Sequence, residues 1–205
     1  MDKFIRIFSY LFYPLFVPVY ATLFYFLFAG KYLQNHEIYL IFIQVLIVTI
    51  LLPVSIFYLL RSLGYVKSKM LTDKKERKLP LSLYCVLLLL LTEYSFSSFS
   101  VPELYYYFVG VLISNALALA LIFTGNKASL HLMAMASLTA FVISLSAYYH
   151  VRFIYIIVFF VICTGFTASS RLQAKAHTPA ELLLGALLGI VPQVCLWFVW
   201  LLPST

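Results

Sequence analysis

The chain has 205 residues, of which 64% are hydrophobic and only 10% are charged. A soluble domain is roughly half apolar and one quarter charged, so this composition excludes a water-soluble fold. The net charge of +7 is compatible with nucleic acid, but the basic residues lie in short segments between apolar runs. Lipid headgroups and phosphates are the natural partners there. We therefore expect membrane lipids as partners and no nucleic acid.

Apolar runs of about twenty residues recur along the chain, which is the length that an α-helix needs to cross a hydrocarbon core of roughly 30 Å. Bounded by charge, Pro and Gly, they predict about seven spans. The spans lie near residues 7–30, 38–60, 80–99, 103–124, 130–149, 152–169 and 181–202. We predict an all-α, polytopic transmembrane helix bundle that uses residues 1–205 as a single domain.

The longest polar stretch is residues 61–79, which we call the basic loop. If each predicted span crosses once, the N-terminus, the basic loop, residues 125–129 and residues 171–180 emerge on one face. Of the 14 Lys and Arg residues, only Lys31 and Arg152 fall on the opposite face. The positive-inside rule makes the basic face cytoplasmic. Lys and Arg residues that bind phosphate would also raise the number of basic residues on this face, so the count alone does not decide which leaflet the face belongs to.

The strongest signal for chemistry is the motif "SSRLQAKAHTPAELLLG". Arg171 is followed after five intervening residues by His177, and four positions later by Glu181. Arg offers a planar fork of donors that matches phosphate oxygens. Neutral imidazole can attack phosphorus, and a carboxylate on its second nitrogen fixes the tautomer and raises the nucleophilicity. These residue types at this spacing indicate phosphoryl transfer.

A structural interpretation competes for part of the same motif. Thr178 and Glu181 have the spacing of a capping box, with Pro179 at the first helical position, which is an ordinary way to start a helix. The two interpretations are compatible. A helix that begins here points its free N–H groups toward whatever His177 contacts, which favours an anion.

Two earlier motifs lie on the same predicted face. In "NKASLHL", Lys127 and Ser129 are candidate phosphate ligands, and Ser129 is also a predicted helix cap. His131 is a candidate general acid, a phosphate ligand or an interfacial histidine. In "LTDKKERKLP", Lys74 and Arg77 could clamp a phosphate before Pro80 opens the third span. A charge run beside a span also serves as a topology signal or attracts anionic lipid.

Neither a metal nor a cofactor is expected. The three cysteines lie inside apolar runs and are odd in number, so they are interpreted as small hydrophobes. The basic residues around His131, His177 and Glu181 favour an anion over a metal ion. Gly185 and Gly189 have the GxxxG spacing and predict a close helix contact.

In this order, the three motifs resemble those of the type 2 phosphatidic acid phosphatase family. Its pattern is a Lys/Arg-Pro motif, then Pro-Ser-Gly-His, then Ser-Arg, five residues, His, three residues and Asp. The third motif matches with its spacing intact and Glu in place of Asp, as Ser170, Arg171, His177 and Glu181. The second keeps Ser and His but loses Pro and Gly, and reads Ala128, Ser129, Leu130 and His131. The resemblance spans about residues 71–189.

The first motif departs furthest from the family. Lys69 stands one position too far from Arg77, so Lys74 is the candidate replacement, and Pro80 follows Arg77 by three residues rather than one. Leu130 in place of Gly restricts the approach of the backbone to phosphate, and the longer Glu181 could displace the nucleophile.

The resemblance implies a membrane phosphatase with a six-helix core and no metal. His177 would attack phosphorus, His131 would protonate the leaving oxygen and Glu181 would orient His177. The phosphate oxygens would be held by Arg171, Arg77, Lys74, Ser129 and Lys127. The expected substrate is a lipid phosphate or diphosphate, with phosphatidic acid, phosphatidylglycerol phosphate, undecaprenyl diphosphate and lipid A phosphates as candidates.

Two alternatives accompany this expectation. Because the first and second motifs are eroded, a catalytically impaired relative that binds or transports phosphorylated lipid is the second hypothesis. The expected location is a bacterial inner membrane. Bacterial family members that act on undecaprenyl diphosphate usually work at the outer leaflet, in conflict with the positive-inside reading of this chain.

Overall fold

The computed structural model describes residues 2–29, 33–66, 74–96 and 101–201, and within these ranges the regular structure is helical throughout. The elements are α1 (Asp2–Leu11), α2 (Val17–Ala29), α3 (Asn35–Leu46), a π-helical turn (Ile47–Leu51), α4 (Leu52–Ser62), α5 (Lys74–Tyr94), α6 (Pro102–Phe123), α7 (Leu130–Tyr148), α8 (Ile154–Gln173) and α9 (Pro179–Leu201). The all-α prediction is confirmed for this part of the chain.

Five described helical segments are long and apolar enough to cross a membrane. They are Asn35–Ser62, Pro102–Phe123, Leu130–Tyr148, Ile154–Gln173 and Pro179–Val199. The 22 residues of α6, for example, extend about 33 Å. Helix α5 falls outside this set because its first turns and its last turn carry charge. The segments identify a multi-pass integral membrane protein.

The prediction of one continuous first span over residues 7–30 is wrong. Helix α1 ends at Leu11, and α2 begins only at Val17. Pro14 and Pro18 lack the backbone N–H that a helix needs and clash with the preceding turn, which explains the break. Helix α2 has 13 residues, or about 20 Å, which is shorter than the hydrocarbon core.

Helix α1 is amphipathic and packs against the end of α8. The Ser9 hydroxyl lies 2.6 Å from the Ser170 hydroxyl, and Phe8 stacks on Phe166 with centroids 4.7 Å apart. Ile7 and Leu11 on its apolar side remain exposed. An amphipathic helix with exposed apolar side chains is typical of a helix at a membrane surface.

A single π-helical turn, Ile47–Leu51, interrupts the second span. Pro53 follows it and cannot donate a backbone hydrogen bond to the residue four positions earlier, Thr49. The hydroxyl of Thr49 in turn donates to Val45 O at 2.8 Å. Such turns bend helices, and here α4 carries the proline on the wall of the cavity described below.

The predicted extent of the basic loop is wrong at its C-terminal end. Helix α5 begins at Lys74, and Pro80 lies inside it rather than opening it. Lys, Glu and Arg are strong helix formers, so the charged run extends the helix beyond the membrane span. Residues 67–73 of the basic loop lie outside the described residues.

Helices α7 and α9 approach each other closely. A Cβ built on Gly185 would lie 2.5 Å from Ser129 O, and one on Gly189 would overlap Met133 O. Only glycine permits this approach of two backbones, so the close contact predicted from the GxxxG spacing is confirmed. The contact holds the start of α9 beside the start of α7, where the polar motifs lie.

Candidate active site

His177 and Glu181 form a hydrogen-bonded pair at the start of α9. His177 Nδ1 lies 2.9 Å from Glu181 Oε2. The same carboxylate oxygen accepts a hydrogen bond from Thr178 N at 3.2 Å, and Glu181 N donates to Thr178 Oγ1 at 3.3 Å. The capping box predicted from the sequence is therefore present, and Glu181 completes it while it bonds His177.

This pairing fixes the chemistry of the imidazole. When the carboxylate is ionised it can only accept, so Nδ1 carries the proton and Nε2 keeps its lone pair. Burial lowers the pKa of His177 to about 4; the charges of Arg77 and Arg171 act in the same direction, and the hydrogen bond with Glu181 acts against them. His177 is thus neutral at pH 7, as a nucleophile must be.

Arg171 lies in the last turn of α8 and is buried, with 8% of its surface exposed. Its Nε makes no hydrogen bond within the described part of the chain. An unpaired donor on a buried guanidinium is costly. Because Arg171 lines the same cavity as His177, its guanidinium is placed to attract an anion there.

Ser129 and Lys127 meet Glu181 from the start of α7. Ser129 N donates to the backbone oxygen of Glu181 at 3.1 Å. Ser129 stands at the predicted cap position, but its hydroxyl makes no capping bond and has no partner among the described residues. Lys127 Nζ lies 3.7 Å from Glu181 Oε2 and 3.4 Å from Ala176 O. Lys127 contacts the carboxylate that orients His177, and its role as a phosphate ligand stays a prediction.

Arg77 enters the same region from the first turns of α5. Its side chain is buried and lies near enough for its charge to act on His177 and Arg171. Lys78, the next residue, turns away and places its ammonium 4.3 Å from the centroid of Phe123. The side chain of Lys74 lies outside the described part of the structure.

His131 lies one position inside α7 and completes the set. It lines the same cavity as Arg77, Arg171 and His177. Its ring meets the ring of Tyr13 edge to face, with centroids 5.3 Å apart. The cavity is thus lined by four of the predicted site residues, which come from three motifs that are distant in the sequence.

Tyr13 is the residue that the sequence analysis missed. It precedes Pro14 in the break between α1 and α2, and it lines the cavity beside His131. The charges of Arg171 and Arg77 act on its hydroxyl. The signal was available, because two prolines inside a predicted apolar span indicate a local departure from the helix.

One cavity of about 360 Å³ runs from this polar cluster into the bundle. We call the cluster the basic end and define it as Tyr13, Arg77, His131, Arg171 and His177. Beyond it the walls are mostly apolar and include Pro53, Ile56, Phe57, Leu83 and Leu87. A polar end that continues into an apolar channel matches an amphiphile with a charged headgroup.

The described residues contain no group of three or more His, Cys, Asp or Glu able to hold a metal ion. Comparison of the chain with protein-family models, curated proteins and solved structures gives no match.

Proposed function

We propose that the protein is a membrane-embedded phosphatase that removes phosphate from a lipid phosphate or diphosphate through a phosphohistidine intermediate. One observation carries this proposal: a neutral His177, oriented by Glu181 at 2.9 Å, shares a cavity with two buried arginines, of which Arg171 keeps an unpaired Nε. The arrangement supports membership of the type 2 phosphatidic acid phosphatase family, as the resemblance of the three motifs implies.

In the first step, Nε2 of His177 forms a bond to phosphorus while the bond from phosphorus to the leaving oxygen breaks. His131, protonated when the bound phosphate offsets the charges of the arginines, gives its proton to that oxygen. Arg171 and Arg77 offset the charge on the remaining phosphate oxygens, which is where preorganised donors lower the barrier most. Glu181 stabilises the proton on Nδ1 of His177 as positive charge develops on the ring.

In the second step, water attacks phosphorus and the N–P bond breaks, which returns the electron pair to Nε2. His131, now neutral, takes the proton of the attacking water. Inorganic phosphate leaves, and both histidines regain their initial protonation states. No redox change and no second substrate besides water is required.

An amphiphilic substrate fits the cavity, because the cavity has a basic end and apolar walls. The basic end faces the region where α5 begins and α8 ends, and the apolar walls continue toward the middle of the bundle. A headgroup phosphate would occupy the basic end, and a lipid chain would lie between the apolar walls. We place the protein in a bacterial inner membrane with about seven spans, counting α5 and the α1–α2 pair with the five long segments.

A second function, binding or transport of phosphorylated lipid without turnover, is favoured by Ser129. Its backbone N–H is already bonded to Glu181 O at 3.1 Å, so this N–H is not free to bind a phosphate. The two functions differ in whether His177 must attack phosphorus.

Phosphate release by purified protein in detergent tests the proposal. The assay contains EDTA and offers phosphatidic acid, phosphatidylglycerol phosphate, undecaprenyl diphosphate or a lipid A phosphate. We expect release that survives EDTA, vanishes in His177→Ala and is unchanged in the matched control His36→Ala, which alters an exposed histidine on α3. Tight binding of the same lipids with no release would support the transport function instead.

A further inference from the structure

The two histidines of the site differ in what orients them. His177 is bonded to a carboxylate, that of Glu181, at 2.9 Å. Among the described residues, the hydrogen-bonding group that acts on the His131 ring is instead a backbone oxygen, that of Ser9 on α1. The His131 ring also meets the ring of Tyr13 edge to face. Both contacts come from the end of α1 and the break that follows it, a segment that has no role in the mechanism above.

The Ser9 oxygen is available for this contact because α1 ends close to it. The last carbonyl groups of a helix have no donor within that helix. Phe12 N donates to Phe8 O at 2.9 Å, but the next donor in the series, Tyr13 N, belongs to a residue outside the helix. Tyr13 precedes Pro14, and a residue before proline is biased away from the helical conformation. The proline therefore leaves the Ser9 oxygen to a side chain.

Two hydrogen bonds fix this segment on the bundle. The Ser9 hydroxyl lies 2.6 Å from the Ser170 hydroxyl, and Ser170 is the residue before Arg171. Phe16 N donates to Tyr13 O at 2.9 Å, which closes a four-residue turn with proline at its second position, where proline is favoured. Both residues that contact the histidine of α7 are therefore held in place by their own bonds.

One orientation of the His131 ring serves both steps of the proposed reaction. Protonated imidazole donates from both nitrogens, so one N–H can bond the Ser9 oxygen while the other faces the cavity that His131 shares with His177. The second N–H bond breaks as its proton bonds to the leaving oxygen. Neutral imidazole then keeps the first N–H on the Ser9 oxygen and directs a lone pair at the attacking water. A ring free to turn would present the required nitrogen for only part of the time.

We propose that Tyr13 and the backbone oxygen of Ser9 position His131 as the acid and base of the reaction, as Glu181 positions His177. The oxygen selects which nitrogen carries the proton, and the Tyr13 ring restricts rotation of the imidazole. The inference rests on the proposed function, and it assigns a role to a segment outside the three motifs. Tyr13 acts through its ring, so it is a positioning residue and its hydroxyl is not required.

The test compares two substrates that differ in how much the leaving oxygen needs a proton. One is an alkyl phosphate, and the other is a nitrophenyl phosphate that carries an alkyl chain of the same length. An alkoxide needs a proton to leave, whereas nitrophenolate leaves without one, and kcat/KM includes the step in which the leaving group departs.

The selective loss is expected in Tyr13→Leu. General acid catalysis contributes about 10²–10⁴-fold, and misplacing the acid loses part of it, so we expect kcat/KM for the alkyl phosphate to fall about tenfold. For the nitrophenyl phosphate the change should stay below about twofold, because no acid is needed. His131→Ala should show the same selectivity with a larger loss.

Two further variants separate positioning from other roles. Tyr13→Phe keeps the ring and should match the wild type on both substrates. Tyr155→Leu, which replaces an exposed tyrosine on α8, is the matched control and should change neither rate. Equal losses of the two substrates in Tyr13→Leu, or a loss in Tyr13→Phe, would overturn the inference, because they indicate a structural role or a phosphate ligand.

A second measurement separates this inference from the proposed function. If the wild type releases phosphate from neither substrate, the proposed function fails, and ¹⁵N-histidine NMR without substrate decides the positioning of His131, with His131→Ala to assign the signal. We expect one tautomer of His131 in the wild type and in Tyr155→Leu, and a mixture in Tyr13→Leu. A mixture in the wild type, or one tautomer in all three proteins, refutes the inference. The wild-type spectrum alone carries the test if Tyr13→Leu does not fold.

Discussion

Two buried charged side chains at opposite ends of the bundle differ in whether their polar atoms are hydrogen-bonded. Glu103, in the first turn of α6, accepts hydrogen bonds from Tyr25 Oη at 2.9 Å and from Tyr149 Oη at 2.7 Å. Arg171, in the last turn of α8, is comparably buried but keeps an Nε without a partner among the described residues. Burial of a charge does not by itself distinguish a structural group from a ligand-binding one, whereas the pairing of its polar atoms does.

The largest expected effect is on activity at the basic end. Arg171→Met keeps the length of the side chain and removes its charge, so we expect the rate of phosphate release to fall by at least about 10²-fold, as for the loss of one transition-state donor. Because the replaced guanidinium includes an unpaired buried donor, thermal stability in the absence of substrate should be unchanged or higher. A lower melting temperature with normal turnover would show that Arg171 is structural.

Glu103 should give the reverse pattern. Glu103→Leu leaves two buried tyrosine hydroxyls without their acceptor, which costs on the order of 1–3 kcal/mol for each. We expect a lower melting temperature in detergent and, at a permissive temperature, normal phosphate release. Glu103→Gln retains a carbonyl acceptor and should recover part of the lost stability. A loss of turnover in folded Glu103→Leu would place that end of the bundle in the function.

Gly189 lies at the close contact between α7 and α9. Gly189→Ala forces a methyl group against the Met133 carbonyl, and overpacking of this kind costs about 1–3 kcal/mol. The control is Gly165→Ala on α8, where nothing lies within 4 Å of the added Cβ. Since Ala is the better helix former, that variant should match or exceed the wild type in melting temperature. Equal behaviour of the two variants would contradict the close contact.

The smallest expected effect is on the titration of His177. Burial holds its pKa near 4, with Arg77 and Arg171 lowering it and Glu181 raising it. Arg77→Gln should therefore move the pKa up and Glu181→Gln should move it down, as measured by ¹⁵N-histidine NMR with His177→Ala to assign the signal. Shifts of the same sign in both variants would refute this account of the charges.

The same pKa sets a pH dependence of stability. An unfolded chain binds a proton at histidine near pH 6.5, whereas folded His177 stays neutral until about pH 4. Acid therefore destabilises the folded state progressively between those two values, and His177 contributes no pH dependence above them. His177→Ala should flatten this part of the curve.

The sequence was most informative where short spacing decides geometry. The four positions between His177 and Glu181 and the capping box at Thr178 lie on one helical turn, so their contact could be predicted. The GxxxG spacing of Gly185 and Gly189 likewise defines one face of α9. The lengths of the apolar runs also located most of the helices, because the length of a run depends only on residues that are adjacent in the sequence.

Long-range features could not be predicted in the same way. Pro14 and Pro18 indicate a break in the run 7–30, but no local pattern reveals that this break places Tyr13 beside His131. The start of α5 at Lys74 could not be predicted, because a run of charged residues is equally compatible with a loop and with an exposed helix. The inner end of the cavity depends on the packing of α5 against α6 and of α6 against α7, which no local pattern encodes.

The central claim is that His177 becomes phosphorylated during turnover. The most direct measurement is rapid quenching of the purified protein with a lipid phosphate labelled at phosphorus, followed by mapping of the label. We expect a label on His177 that is stable in base and labile in acid and that is absent in His177→Ala. Phosphate release from the wild type with no label on His177 at any time would contradict it.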